Sequence, residues 1–263
     1  MPVFCIGIIM NISELFKRAL YYISVPKCVL CNEKLDYGDK GLCGKCMVEY
    51  KRHKQRDCPN CAHILSECSC SYDYLKSHGI KKFIKLFRYS KAESSMPSNY
   101  LIYSLKQDNR SDVVSFLSNE LAEAIKYSFK ITPQKYLITN VPRRKGAIVK
   151  FGYDHAETLA RAVADILGIE YMQLLKSKSK KAQKTVYGDD RKRNAKFDYN
   201  CDEDLSLKGK TVIIVDDIVT TGASITNCAT LIRGLNPSGI IGACLGTAYK
   251  EPYIDFDRHF YKK

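Results

Sequence analysis

Residues 211–224 read Thr-Val-Ile-Ile-Val-Asp-Asp-Ile-Val-Thr-Thr-Gly-Ala-Ser: an apolar run, two adjacent acids, then a turn rich in hydroxyls with one glycine. Val212 to Val215 are β-branched at every position, the pattern of a parallel strand covered on both faces. A strand of that kind needs helices on either side of its sheet, which commits the chain to an α/β architecture. Asp216 and Asp217 then emerge at the carboxyl end of the strand, where open α/β sheets hold their ligands. Thr220, Thr221, Gly222, Ala223 and Ser224 follow as a tight turn. Gly222 lets the backbone come close to an anion, and the next helix points its free N–H groups at it. One phosphate monoester fits that nest. The acids repel phosphate and suit vicinal ribose hydroxyls or a magnesium ion instead.

A phosphate nest beside a hydroxyl-binding acid pair suits 5-phosphoribosyl 1-pyrophosphate (PRPP). The acid pair followed by Val-Thr-Thr-Gly resembles the ribose-phosphate signature of type I phosphoribosyltransferases. That resemblance implies PRPP with Mg2+ as the ligand, Asp216 and Asp217 as the catalytic candidates, and Thr220–Ser224 as the phosphate loop.

Cysteine spacing is the second signal. Of 12 cysteines, eight lie between residues 28 and 70: Cys28 and Cys31, Cys43 and Cys46, Cys58 and Cys61, Cys68 and Cys70. Three of these pairs are Cys-x-x-Cys knuckles, whose two thiolates face one tetrahedral zinc, so two pairs close a structural site. Cys28, Cys31, Cys43 and Cys46 form one set. Cys58, Cys61, Cys68 and Cys70 form the other, although Cys68-Ser69-Cys70 has a single intervening residue and interleaved pairing stays open. A disulfide framework would need an oxidising compartment. Met1–Met10 lacks a basic leader, and its apolar stretch is too short to span a bilayer and is soon broken by Asn11, Glu14, Lys17 and Arg18. The expectation is a cytoplasmic zinc protein with no transmembrane segment, peripheral at most to the inner membrane. Cys5, Cys201, Cys228 and Cys244 read as ordinary apolar or surface residues.

The anchors divide the chain. An amphipathic helix is expected within residues 1–23, with Ile12, Leu15, Phe16, Ala19 and Leu20 at helical spacing. A double zinc ribbon occupies 24–72, with too little apolar content to hold itself without metal. The phosphoribosyltransferase-like, Rossmann-like parallel-sheet domain covers 73–250, and 251–263 is a tail. Within the domain, strands are expected at Phe83–Tyr89, Tyr136–Val141 and Ile240–Thr247, and helices at Val113–Phe129 and Asp154–Leu167, the latter stopped by Gly168. Ser94–Asn99, with Pro97, reads as a loop.

The formal net charge is +14, from 42 basic against 28 acidic residues, which favours polyanions or phosphorylated small molecules. Arg143, Arg144 and Lys145 follow the Tyr136–Val141 strand, placing three cations at a sheet edge where a diphosphate leaving group needs them. A solvated basic loop is the plainer reading. Lys176–Arg193 is either a flap that closes over substrate, with Arg191 and Arg193 as further pyrophosphate contacts, or a solvated disordered stretch. Around Tyr72–Tyr89, Lys76, Lys81, Lys82, Lys85 and Arg88 interleave with Tyr72, Tyr74, Phe83 and Phe87. The pattern fits base stacking on a basic surface, but core packing is the favoured reading.

Cysteine knuckles, Phe87-Arg88-Tyr89, Leu101–Lys106, Val141-Pro142, the Gln183–Asn194 segment and the Asp216 loop, in that order, resemble the ComF family of bacterial competence-associated proteins. The resemblance implies a zinc ribbon joined to a phosphoribosyltransferase-like domain, with single-stranded DNA and the DNA-uptake machinery as partners. Asn140-Val141-Pro142 stands where the family has Pro-Val-Pro, and Phe151-Gly152-Tyr153-Asp154-His155 where it has Arg-Gly-Phe-Asn-Gln. Two functions follow: a phosphoribosyltransferase whose acceptor cannot be read, and a DNA-handling module that keeps the PRPP pocket as a ligand or regulatory site. His155 reads as a packing or surface residue rather than a general base.

Overall fold

The computed structural model describes residues 25–58, 61–89, 96–178, 197–202 and 204–248. The expected helix within 1–23, the 251–263 tail, Cys5, Arg191, Arg193 and Asn194 lie outside the described residues.

Five parallel strands form the sheet: β1 (Lys82–Arg88), β2 (Tyr136–Asn140), β3 (Glu170–Tyr171), β6 (Thr211–Val219) and β7 (Gly239–Thr247). Their order is β1-β7-β6-β2-β3, so the acid-bearing strand β6 lies between β7 and β2 in the middle. The remaining strands, β4 (Leu175–Ser177) and β5 (Phe197–Tyr199), pair antiparallel as a separate ribbon. Alternation along β6 divides its side chains between two cores. Ile213 and Val215 pack with the helices α4 (Ser111–Ser128) and α6 (His155–Leu167), while Val212 and Ile214 pack with α7 (Ala223–Arg233). The sheet is covered on both faces, as the unbroken β-branched run requires.

α6 follows directly from its sequence. Asp154 caps it by accepting from the N–H groups of Ala156 and Glu157 at 3.0 and 3.2 Å, and Gly168 ends it with φ 64°. Its buried stripe is Leu159, Ala160, Val163, Ala164 and Leu167. One expectation is corrected: Pro97–Asn99 is not loop but the first turn of α3 (Pro97–Gln107). Proline has no N–H to lose at a first helical turn, and its fixed φ suits that position. Arg143–Lys145 follows β2, the strand adjacent to β6 as expected, and leads into the short helix α5 (Lys145–Phe151).

The cysteine-rich segment contains a helix, α1 (Gly44–Lys54), and it is packed into the main core. Leu35, Leu42, Cys46 and Tyr50 join the cluster that holds Leu101, Leu117 and Leu121. Tyr50 Oη donates to Glu120 at 3.1 Å, the Lys54 ammonium meets the same carboxylate at 2.6 Å, and Arg110 binds both Asp112 and the Lys27 carbonyl. Between the cysteines and β1 lies the short helix α2 (Asp73–Ser77). The aromatic interleaving at Tyr72–Tyr89 is mostly core: Tyr72, Phe83, Phe87 and Tyr89 are buried, as is Lys85. Among the described residues no helix is long and apolar enough to cross a membrane.

Candidate ligand site

The phosphate-loop residues come together at the carboxyl end of β6. Asp216 and the turn Thr220–Ser224 line a recess of about 40 Å³, room for a small tetrahedral anion rather than a sugar ring. Gly222 adopts φ 77°, a left-handed conformation that the loop needs to turn into α7. The backbone N–H groups of Thr220, Thr221, Gly222 and Ser224 find no partner among the described residues, while the Ala223 N–H makes only a long contact, 3.4 Å, to Thr221 Oγ1. Unpartnered donors at a helix start form an anion nest.

The two acids face opposite sides of the sheet. Asp216 continues the face of Val212 and Ile214, and burial, reinforced by the neighbouring Asp217 charge, pushes its carboxyl well above the usual range. Asp217 lies on the other face. Burial opposes its charge too, but the Lys106 ammonium at 3.1 Å and the Arg143 guanidinium at 3.6 Å outweigh that and hold it below the usual range. The pair therefore has one carboxyl biased towards the neutral form and one held as an anion.

Lys106 is the site residue that the sequence did not mark. It ends an apolar stretch that carried no role beyond its family resemblance, and only the packing of α3 over β6 brings it to Asp217. Tyr153 Oη fixes that end of α3 by donating to the Leu105 carbonyl at 2.7 Å. Of the three loop cations, Arg143 reaches the acid pair, whereas Arg144 and Lys145 are exposed. Asp154 holds the Arg143 backbone N–H at 2.8 Å, so the acid at the family's asparagine position makes a loop-anchoring hydrogen bond. Asn140, where the family has proline, accepts from Tyr171 Oη at 2.7 Å and ties β2 to β3.

His155 is fully buried against Tyr153 and Phe151, with ring centroids 4.5 and 5.8 Å away, and neither of its nitrogens finds a hydrogen-bond partner among the described residues. It is a packing residue at the back of the site. Burial, followed by the Arg143 charge, lowers its imidazole to about 4. The folded protein thus leaves His155 neutral where the unfolded chain, with a pKa of about 6.5, takes up a proton. Stability should therefore fall as pH drops from roughly 6.5 towards 4, with the unfolded state binding the extra proton. In His155→Gln this part of the slope should vanish, as read from urea midpoints at pH 7, 5.5 and 4.5; an unchanged slope would assign the titration elsewhere.

The eight knuckle cysteines gather into the two consecutive sets, Cys28, Cys31, Cys43, Cys46 and Cys58, Cys61, Cys68, Cys70, with the sulfurs of each set within 4.8 Å of one another. Interleaving does not occur. A tetrahedral zinc with bonds of about 2.3 Å holds its sulfurs roughly 3.8 Å apart. The Cys31–Cys43 and Cys61–Cys68 separations are 3.6 and 3.4 Å, so both clusters are compatible with structural zinc. Cys228 and Cys244 are buried apolar residues and Cys201 is half-buried.

The phosphoribosyl transferase domain pattern matches residues 154–260. The chain is 25% identical over 232 residues to DNA utilization protein YhgH of Escherichia coli, covering 85% of this chain and 98% of that protein. It is 24% identical over 225 residues to competence protein ComFC of Streptococcus pneumoniae, covering 79% and 93%. Among solved structures, purine phosphoribosyltransferase from Pyrococcus horikoshii is 22% identical and covers 52% of this chain and 79% of its own, at a TM-score of 0.33. With a phosphoribosyl transferase domain matched behind two four-cysteine clusters, the chain is similar along most of its length to the competence protein ComFC and the DNA utilization protein YhgH.

Proposed function

We propose that the protein binds PRPP at the carboxyl end of β6 and serves the handling of DNA taken up by the cell. The observation that carries the ligand is the nest of unpartnered N–H groups at Thr220–Ser224 with Asp216 lining the same recess. The nest takes the 5-phosphate. Asp216 and Asp217 take the ribose hydroxyls, and they are also the residues that would hold Mg2+, an ion that offsets diphosphate charge. Arg143 and Lys106 already share Asp217. A diphosphate arriving there competes with that carboxylate for both cations, which frees Asp217 lone pairs for the sugar. Transfer would break the C1–diphosphate bond through an oxocarbenium-like state while a nitrogen nucleophile of the acceptor bonds to C1, with the same cations stabilising the departing diphosphate. The DNA role rests on the names of the relatives, DNA utilization protein and competence protein. The net charge of +14 agrees with it.

Isothermal titration with Mg–PRPP tests the ligand. The native protein should bind it, ribose 5-phosphate should compete, and Asp216→Asn with Asp217→Asn should lower affinity at least a hundredfold. Unchanged affinity in the double variant, or no heat with the native protein, rejects the assignment.

A further inference from the structure

Lys85 is the least expected side chain in the fold. It sits in the middle of β1, 1% exposed, where the charge of an ammonium is strongly disfavoured without a counter-charge. No carboxylate pairs with it among the described residues. Its Nζ donates instead to the Cys70 carbonyl at 2.9 Å and approaches Cys68 Sγ at 3.5 Å and the Phe83 carbonyl at 3.5 Å. The rings of Tyr72 and Phe83 lie 5.7 and 5.9 Å from the same atom. Carbonyls and rings offer partial charge only. Among the described residues the source of full negative charge in reach is the second cysteine cluster, because four thiolates around a dication would carry a net charge of −2.

The irregular spacing of that cluster has its cause in the same place. Cys70 bridges Lys82 antiparallel, and the Phe83 N–H donates to the Ser69 carbonyl at 3.1 Å, so residues 69–70 run as an extended segment along edge strand β1. In extended chain, side chains two apart point the same way, so a Cys-x-Cys pair presents both sulfurs to one ion as a knuckle does in a turn. Lys85 lies under those two ligands.

We infer that Lys85 is the buried counter-charge of the second thiolate cluster, and that it locks the metal held there to the edge strand of the ligand-binding sheet. Hydrogen bonds to ligating groups commonly tune metal retention, and losing one typically weakens it 10–100-fold. Here the dependence runs both ways. Metal gives the ammonium its anion, and the ammonium lowers the charge that the cluster must carry.

The test uses the full chain loaded with zinc, with Lys85→Met keeping the apolar stem and Lys85→Arg keeping the charge. Metal content and release to a chromogenic chelator are measured. One of the two zinc ions should leave at least tenfold faster from Lys85→Met, and Lys85→Arg should retain it substantially better. The fast phase should be absent when Cys58→Ser/Cys61→Ser removes the second site. In that background Lys85 has lost its counter-charge, so adding Lys85→Met should raise the melting temperature, the reverse of its effect on the intact protein. Release of both ions at the native rate from Lys85→Met overturns the inference. So does a fast phase that persists without the second site, and so does a Lys85→Met change that lowers melting equally in both backgrounds. Because the last comparison reads the sign of an effect, it decides even where Lys85→Met weakens the loaded fold.

Discussion

Replacing Gly222 by alanine is expected to cost about 2–4 kcal/mol of stability and at least tenfold in affinity for a phosphate-bearing ligand. Two separate penalties add. The first is conformational: at φ 77° a side chain is strained by about 1–2 kcal/mol whatever surrounds it. The second is steric, because the new Cβ would lie 2.7 Å from Leu75 Cδ2 and 3.3 Å from Tyr74 Cδ1. Leu75 cannot swing away, since it is fully buried in the core shared by Ile80, Phe83 and Ile225. The loop or α2 must therefore move, and either motion displaces the donors at Thr220–Ser224. A double-mutant cycle separates the terms. Leu75→Ala in the Gly222→Ala background should recover the steric part and leave the strain, as read from denaturant midpoints. Additive single effects would show that the loop and α2 do not press on each other, and native-like stability in Gly222→Ala would refute the close approach altogether.

That contact shows where the sequence stops being legible. Strand β6, its acids and the glycine turn could be read directly, because a β-branched run and turn chemistry are local signals. The same holds for α6, whose cap and terminator are written at Asp154 and Gly168. Pairing of the cysteines was left open by their spacing, and the fold resolves it. The Lys106–Asp217 ion pair was invisible, because nothing in either segment marks the other. Selection of Arg143 over Arg144 and Lys145 was equally hidden, being set by the direction in which the loop leaves β2. β3, β4 and β5 are two or three residues long, too short for any periodic pattern. Burial of Lys85 was hidden for a physical reason: lysine in a strand ordinarily marks a solvated face, and the cysteine cluster beside it is brought there only by the fold.

Breaking the first cysteine cluster, a set compatible with structural zinc, should be the most damaging single change to the fold. Structural zinc contributes on the order of 10–16 kcal/mol in small zinc-binding peptides, which matches or exceeds the whole stability of a typical domain, about 5–15 kcal/mol. A self-contained ribbon would confine that loss to itself. This one does not stand apart: Cys28 and Cys46 are 2% and 7% exposed and pack with Leu35, Leu42 and Tyr50 in the same core as α3 and α4. Polar ties reinforce the seam, since the Gly41 N–H donates to Asp112 at 3.0 Å and Glu120 receives both Tyr50 and Lys54. Releasing the ion would uncover the apolar side of α3, the helix that carries Lys106 to Asp217. Cys46→Ser should therefore lower the melting temperature by roughly 10–20 °C if only about 5 kcal/mol of the metal's contribution reaches the domain. Bound zinc should drop from two ions to one, and ligand affinity should fall although no ligand-site residue has changed. Calorimetric melting with metal analysis reads both effects. A melting temperature within about 2 °C of native after one ion is lost would mean that this centre stabilises nothing beyond its own knuckles.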